Sequence, residues 1–213
     1  MNYLVNGVKV AANVYTPAGY DEKSDNKYPA VTIAHPNGGV KEQVSGLFAQ
    51  KLAENGYIAI ACDAAYQGAS EGEPRNTDIP TNRGEDIHAM VDYLMTYPGV
   101  DIERIGLFGI CGGGGYTLKA AQLEKRVKAV ATLSAFNTGI VRLFGLGNSQ
   151  ADTIQQRLKE AADARTEEAR TGKVVYPAPR GQITQEYIDS LPDGLYKDGM
   201  YYYGRDYAHP NSG

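Results

Sequence analysis

The amino-acid sequence predicts an α/β protein with a mostly parallel, doubly wound sheet. Up to about residue 136, apolar runs rich in β-branched residues alternate with amphipathic helical segments. Parallel strands need crossover connections, and a helix between successive strands supplies each one. One predicted strand, beginning at Arg104, runs into a glycine-packed turn around Cys111. The length of 213 residues is enough for one domain with a sizeable core.

Each predicted element follows from its own apolar pattern. Five apolar runs predict strands: Val8 to Tyr15, Tyr28 to Ala34, Tyr57 to Cys62, Arg104 to Phe108 and Val127 to Ser134. Apolar residues three and four apart predict two helices between these strands. The apolar face of the first helix contains Val44, Leu47, Phe48 and Leu52, and that of the second contains Ile87, Met90, Val91 and Leu94. A third helix follows the turn, from Gly113 to Leu123.

The pattern changes after residue 136. Ala151 to Arg170 predicts a charged amphipathic helix, and residues 172 to 213 are rich in Tyr, Pro, Gly and Asp. Val174 and Val175 form a very short apolar run before Pro177, so no convincing core strand is predicted there. We therefore divide the chain into a core segment, residues 1–136, and a second segment, residues 137–213.

Residues 104 to 116 carry the strongest chemical signal. A strand that turns sharply into a helix, with small residues two before and two after a nucleophilic side chain, predicts a nucleophile elbow. Here the small residues are Gly109 and Gly113, and the central residue is Cys111. The tight turn leaves no room for neighbouring Cβ atoms, which explains the glycines. Cys111 is the predicted nucleophile, and a small buried cysteine in an ordinary turn is the alternative.

Two other glycine-rich motifs do not fit this segment. A phosphate-binding Walker A loop requires Gly-Lys-Ser/Thr after its spacer, whereas Gly114 is followed by Gly115 and Tyr116. A dinucleotide-binding fingerprint that starts at Gly112 would need its third glycine at Thr117. No nucleotide cofactor is therefore expected.

A second loop follows the strand that ends at Ala34. Residues 35 to 40 read His-Pro-Asn-Gly-Gly-Val. Acyl-transfer enzymes of this architecture hold the oxyanion with the N–H after the nucleophile and an N–H from a glycine-rich loop after an earlier strand. Gly112 is the first predicted donor, and because Pro36 has no N–H, the second comes from Asn37, Gly38 or Gly39. An ordinary Asn-Gly turn is the alternative.

At this point the chain resembles the α/β-hydrolase superfamily, and within it the dienelactone-hydrolase-like group with a Gly-x-Cys-x-Gly elbow. The resemblance covers most of residues 8 to 136. Its motifs are His35 to Gly39 with Lys41 to Gln43, Asp63 to Gly68 with Glu71 to Arg75, and Gly109 to Gly113, and Arg83, Glu85-Asp86 and Asp92 to Leu94 also match.

The resemblance implies an α/β-hydrolase-type sheet and a helical cap formed by residues 137 to 213. It also implies a triad acid and histidine after the nucleophile. Beyond Cys111 the chain has one histidine, His209, and no strand pattern precedes it. We therefore expect the acid and the base to lie beyond residue 213, the last core strands to be missing, and the chain to be an N-terminal fragment.

The function that the resemblance implies is hydrolysis of an ester, thioester or lactone through an acyl-enzyme on Cys111. Loss of the acid and histidine is expected to slow this reaction strongly in the present chain. Acyl transfer to an alcohol or amine, as in polyketide-type metabolism, and a non-catalytic fragment or interaction protein are the alternatives. His35, Asp63 and Tyr66 are predicted to bind or orient the substrate at the rim of the sheet.

Composition limits the remaining classes of function. A net charge of −4 without a basic cluster argues against nucleic acid and anionic membranes as partners. The first residues do not read as a secretory signal, so a cytoplasmic protein with reduced cysteines is expected. No metal or other cofactor is expected, and the expected partner is a small-molecule acyl substrate. An exposed sheet edge could also pair two copies of the chain into a homo-oligomer.

Overall fold

The computed structural model describes residues 1–176 and 184–210, and it divides into two compact units. The first contains Met1–Phe136 together with the residues from Arg205 onward, and the second contains Asn137–Gly204. Gln43 Nε2 donates to the Tyr207 carbonyl at 2.8 Å, which holds the returning chain within the first unit. The sequence had assigned everything after residue 136 to the second segment. Its proline-rich stretch at Pro177 and Pro179 lies outside the described residues.

The first unit contains a six-stranded mixed sheet. Its strands are β1 (Asn2–Val5), β2 (Val8–Tyr15), β3 (Tyr28–Ala34), β4 (Ile58–Cys62), β5 (Val100–Ile110) and β6 (Val127–Leu133). The spatial order is β1-β2-β4-β3-β5-β6. Strand β2 pairs antiparallel with both β1 and β4, and the strands β4, β3, β5 and β6 are parallel to one another. This confirms the predicted mostly parallel α/β fold. Because β3 and β5 lie side by side, the loop after β3 and the turn after β5 meet at one edge of the sheet.

The structure adds strand β1, which the sequence analysis missed. It pairs with β2 from Asn2 opposite Ala11 to Val5 opposite Val8. The connecting residues Asn6 and Gly7 have φ angles of 48° and 82°. An Asn-Gly pair between two alternating segments is a strong hairpin signal, so the sequence did contain the information needed to predict this strand.

Strand β5 begins four residues earlier than predicted. Tyr28 pairs with Val100, the register then shifts, and regular pairing resumes at Ala30 opposite Ile105. The irregular segment carries the half-buried Asp101 and the exposed Glu103 and Arg104, and these polar residues hide the strand pattern. The predicted apolar part of the strand continues directly to Ile110, before the elbow.

Helices cover both faces of the sheet. They are α1 (Val44–Glu54), α2 (Pro80–Thr96) and α3 (Gly112–Ala121). One apolar cluster contains Ile58, Ile60, Met90, Leu94 and Leu107, and the other contains Ile33, Ala49 and Ile110. The side chains of β4 are buried on both faces, as expected for a central strand of a parallel sheet.

Strand β6 is the last strand of the sheet in the described residues, and most of it is exposed. Val130 and Leu133 are 43% and 41% exposed. An exposed apolar edge strand can pair with another chain, and edge lysines prevent such pairing. We predict concentration-dependent self-association of the wild-type chain, which Val130→Lys reduces in sedimentation velocity experiments. Leu123→Lys, at a 70% exposed residue outside the strands, is the matched control, and equal self-association in both variants would contradict the prediction.

The second unit is helical in the residues that the structure describes. Its helices are α4 (Thr138–Phe144), α5 (Ile154–Thr171), α6 (Gln185–Ser190) and α7 (Leu195–Tyr201), with a π-helical turn at Tyr202–Asp206 that leads back into the first unit. The Arg157 guanidinium donates to the carbonyls of Arg142 and Leu143 at 2.5 and 2.6 Å and so caps the end of α4. None of the helices in the described part of the chain combines the length and apolarity needed to cross a membrane.

Candidate active site

The side chain of Cys111 projects from a strained turn between β5 and α3. Its backbone has φ 57° and ψ −123°, a conformation that residues other than glycine rarely adopt. The Cys111 N–H donates to the Leu133 carbonyl at 2.9 Å, and the Gly114 N–H donates to the Cys111 carbonyl at 3.0 Å. The end of β6 and the first turn of α3 therefore hold the strained residue in place. This geometry is that of a nucleophile elbow.

The glycines next to Cys111 allow close backbone contacts. A Cβ atom on Gly113 would overlap the carbonyl oxygens of Ala34 and His35, and one on Gly112 would overlap Asn37 Oδ1. The elbow thus packs directly against the loop that follows β3. A larger residue at Gly113 would push the two segments apart, whereas one at Gly112 would displace the side chain of Asn37.

The environment of the Cys111 sulfur has two opposing effects. Cys111 is half-buried and packs against the cluster that contains Ile33 and Ile110, which raises the pKa of its thiol. The Gly112 N–H bonds to the sulfur and partly offsets this increase in pKa. The start of α3 alone therefore does not make Cys111 a thiolate at neutral pH, and a proton acceptor is required for fast chemistry.

The loop after β3 leaves two of its predicted donors free. The Gly39 N–H bonds to the Pro36 carbonyl at 3.0 Å, which closes a tight turn with Gly38 at φ 73°. Gly39 is therefore not an available donor. Among the described residues, the N–H groups of Asn37 and Gly38 have no hydrogen-bond partner, and the side chain of Asn37 lies against Gly112.

The structure places His35 beneath this loop, where it is 1% exposed. His35 Nδ1 lies 2.7 Å from the Pro36 carbonyl, and Nε2 accepts the Ala64 N–H at 3.0 Å. Burial and the nearby Arg83 hold the pKa of His35 well below its usual range, so the ring is neutral. The ring has almost no surface on which to meet a substrate, contrary to the predicted substrate contact. We propose that His35 shapes the loop instead.

Asp63 is also enclosed by the protein. Its side chain is 1% exposed. Its carboxylate accepts the Lys41 N–H at 2.7 Å, the Lys41 ammonium at 2.8 Å and the Ala69 N–H at 2.8 Å. These bonds join the loop after β3 to the loop after β4. We therefore propose a structural role for Asp63 in place of the predicted contact with substrate.

The third predicted contact, Tyr66, has a strained backbone with φ 71°. Its ring packs beside Gly72, where a Cβ atom would collide with it. The ring also borders a small cavity near β1 with Val5 and Asn6. Among the described residues, these contacts of the Tyr66 ring do not include Cys111.

Two polar contacts between distant residues escaped the sequence analysis. His88 Nδ1 lies 3.1 Å from the Glu124 carboxylate. Asp78 bonds to Asn37, whose amide lies beside the elbow. Each pair joins residues at least 36 positions apart in the chain, so no local spacing pattern could reveal it.

The buried carboxyl group of Asp86 makes the stability of the first unit depend on pH. Its carboxyl is buried on α2, accepts the Ala65 N–H at 2.9 Å and faces Arg83, Glu85 and the Cys62 thiol. Burial raises its pKa from the ordinary value of 3.8 to about 6. The stability that protonated Asp86 contributes is complete below the pKa of Asp86 in the unfolded chain. It is lost as the pH rises through about 6, the pKa of Asp86 in the folded chain.

We predict that Asp86→Asn, which is neutral and keeps an acceptor for the Ala65 N–H, is more stable than the wild type at pH 8. The raised pKa corresponds to up to about 3 kcal/mol, and the difference should vanish toward pH 4. Urea unfolding at both pH values measures it. A constant difference across this range would show that Asp86 does not titrate as described.

Comparisons with known proteins agree with the α/β fold described above. The sequence model of the dienelactone hydrolase family matches residues 11–161. YcjY of Escherichia coli is 44% identical over 167 residues, which are 78% of this chain and 54% of that protein. The crystal structure of PA2218 from Pseudomonas aeruginosa superposes with a TM-score of 0.87 at 34% identity, over all of this chain and 64% of that one.

A relative with a named activity is a polyketide transferase of Gibberella fujikuroi. It is 44% identical over 71 residues, which are 33% of this chain and 22% of that protein. The chain spans about half the length of the curated relatives YcjY and PA2218, 54% and 47% respectively.

Proposed function

The chain belongs to the dienelactone hydrolase family, and we propose that it attacks the carbonyl carbon of an ester, thioester or lactone through Cys111. One observation carries the proposal. A strained cysteine with the Gly112 N–H at its sulfur lies directly against a loop that offers the N–H groups of Asn37 and Gly38. A nucleophile beside two sets of backbone donors suits a tetrahedral oxyanion.

In the proposed reaction, the Cys111 thiol first gives its proton to a solvent water molecule. The sulfur attacks the carbonyl carbon, a C–S bond forms, and the carbonyl π electrons move to the oxygen, where the three backbone N–H groups stabilise the charge. Collapse of this intermediate breaks the bond to the leaving group, which takes up a proton. The product is a thioester on Cys111. Water then attacks the thioester, restores the thiol and releases the acid.

We propose that this chain acylates slowly. Among the described residues, the influences on the pKa of Cys111 are burial and the Gly112 N–H, without a histidine or cationic side chain. General-base assistance is worth about 10²- to 10⁴-fold, so its loss slows the reaction without preventing it. The triad acid and histidine, which the resemblance places after the nucleophile, remain unassigned in this chain.

Acyl transfer is the second candidate function. The acyl-enzyme would react with an alcohol or amine instead of water. The similarity to the polyketide transferase supports this second candidate. The two functions share the first step and differ in the acceptor. Adding an alcohol or primary amine to the acylated protein and identifying the product by mass spectrometry distinguishes them.

The experiment that tests the shared step uses p-nitrophenyl acetate and the folded wild-type chain. We expect one equivalent of p-nitrophenol to be released in a burst, together with a mass increase of one acetyl group on the peptide that contains Cys111. A folded sample without burst or acetylated Cys111 would contradict both enzymatic functions and favour a non-catalytic interaction protein.

A further inference from the structure

Asp78 joins three elements around the elbow. It lies in the connection between β4 and α2, and its side chain is 16% exposed. Its Oδ2 accepts a hydrogen bond from Asn37 Nδ2 at 2.5 Å and another from the Tyr116 hydroxyl at 2.9 Å. Its Oδ1 lies 3.7 Å from Arg83 Nε. The partners belong to the loop after β3, to α3 and to α2.

The contact with Asn37 connects Asp78 to the candidate oxyanion donors. The amide of Asn37 is held at Nδ2 by Asp78, while its Oδ1 lies against Gly112. The backbone of the same residue carries one of the N–H groups proposed to bind the oxyanion. Fixing this side chain therefore fixes the loop relative to the Gly112 N–H.

Arg83 supports the same arrangement from below the loop. Its Nη2 donates to the His35 carbonyl at 2.5 Å, and its guanidinium lies 5.3 Å from the centre of the Tyr116 ring. Asp78 is thus one part of a polar assembly that spans both segments of the site. A carboxylate acceptor makes its hydrogen bonds stronger than those between neutral groups.

We propose that Asp78 is a positioning residue that aligns the Asn37 and Gly38 N–H groups with the Gly112 N–H during acylation of Cys111. The inference rests on the proposed function, since alignment matters only if an oxyanion forms there. Donors act when they lie within hydrogen-bond distance of the developing charge, and a displacement of about 1 Å can cost 10²-fold in rate. Asp78→Ala should lower the acylation rate constant by about 10- to 100-fold.

Two reactions of Cys111 separate positioning from general damage. Acylation by p-nitrophenyl acetate passes through an oxyanion, whereas alkylation by iodoacetamide displaces iodide without forming one. We expect Asp78→Ala to slow acylation, with little change in the substrate concentration for half-maximal rate, and to leave alkylation unchanged. Asp78→Asn should recover most of the rate, because one amide oxygen can accept both hydrogen bonds.

The control is Asp92→Ala, which removes a surface aspartate of α2 paired with Arg126 and should leave both reactions unchanged. If Asp78→Ala does not fold, Asn37→Ser tests the same link, since it removes the amide and keeps the backbone donors. Unchanged acylation in the folded variant, or equal slowing of both reactions, would overturn the inference alone. Absence of a burst in the wild type would overturn the proposed function and this inference with it.

Discussion

Cys111→Ala is expected to abolish the p-nitrophenol burst and the acetylated peptide. The reason is that the strained turn presents one sulfur beside the Gly112 N–H and the loop after β3. Cys111→Ser keeps an oxygen at the same position. A hydroxyl depends on a general base far more than a thiol does, so acylation should slow by at least about 10²-fold. Stopped-flow absorbance and peptide mass spectrometry measure both effects.

The matched control is Cys62→Ala. Cys62 is 3% exposed at the end of β4, and burial raises the pKa of its thiol far above the ordinary range. It is therefore inert as a nucleophile, and its variant should keep the full burst. A burst that survives in Cys111→Ala but disappears in Cys62→Ala would reverse the assignment of the nucleophile.

The same burst should depend on pH in a defined direction. Because burial raises the pKa of the Cys111 thiol, the thiolate fraction is small at neutral pH and increases with every unit of pH below that pKa. The acylation rate of the wild type should therefore keep rising beyond pH 8.5, the usual pKa of a cysteine. A plateau near neutral pH would indicate an activating base that the described residues do not supply.

Among the single substitutions proposed for this protein, Asp63→Asn should lower the free energy of unfolding the most. The Asp63 carboxylate and the Lys41 ammonium are 1% and 8% exposed and lie 2.8 Å apart. Removing one member of a buried ion pair leaves the other charge without compensation and typically costs about 3–5 kcal/mol. Glu42, 2.7 Å from Lys41 Nζ and 37% exposed, compensates only in part. We therefore expect a loss near the lower limit, measured by urea unfolding.

Two variants complete this test. Glu54→Gln removes a carboxylate from an exposed pair with Lys51 and should leave the unfolding midpoint unchanged. The double variant Lys41→Met with Asp63→Asn removes both charges together, keeps a side-chain oxygen as acceptor for a backbone N–H, and should recover much of the stability lost by Asp63→Asn alone. Equal midpoints for Asp63→Asn and the wild type would show that the pair does not stabilise the loops.

The fold class and the position of the elbow could be predicted because both depend on nearby residues. Alternating apolar patterns are local, and β2 and β3 have the predicted bounds, Val8–Tyr15 and Tyr28–Ala34. The steric need for glycine at position 109 is also local, because a Cβ atom there would collide with Gly113, Gly114 and Thr117. The spatial order of the strands was not predicted. It depends on pairings such as Val31 with Gly106, which are 75 residues apart.

By itself, the sequence determined an α/β fold of the dienelactone hydrolase family with a cysteine at the apex of its elbow. Only the tertiary structure decided which polar residues serve the scaffold and which face the elbow. His35 and Asp63 follow strands at the expected edge of the sheet, yet Arg83 and Lys41 occupy their polar atoms inside the protein. Asp78 reaches Asn37 across 41 residues. The role of a side chain depends on its burial and on the partners that folding brings close to it. The local spacing of residues in the sequence indicates neither.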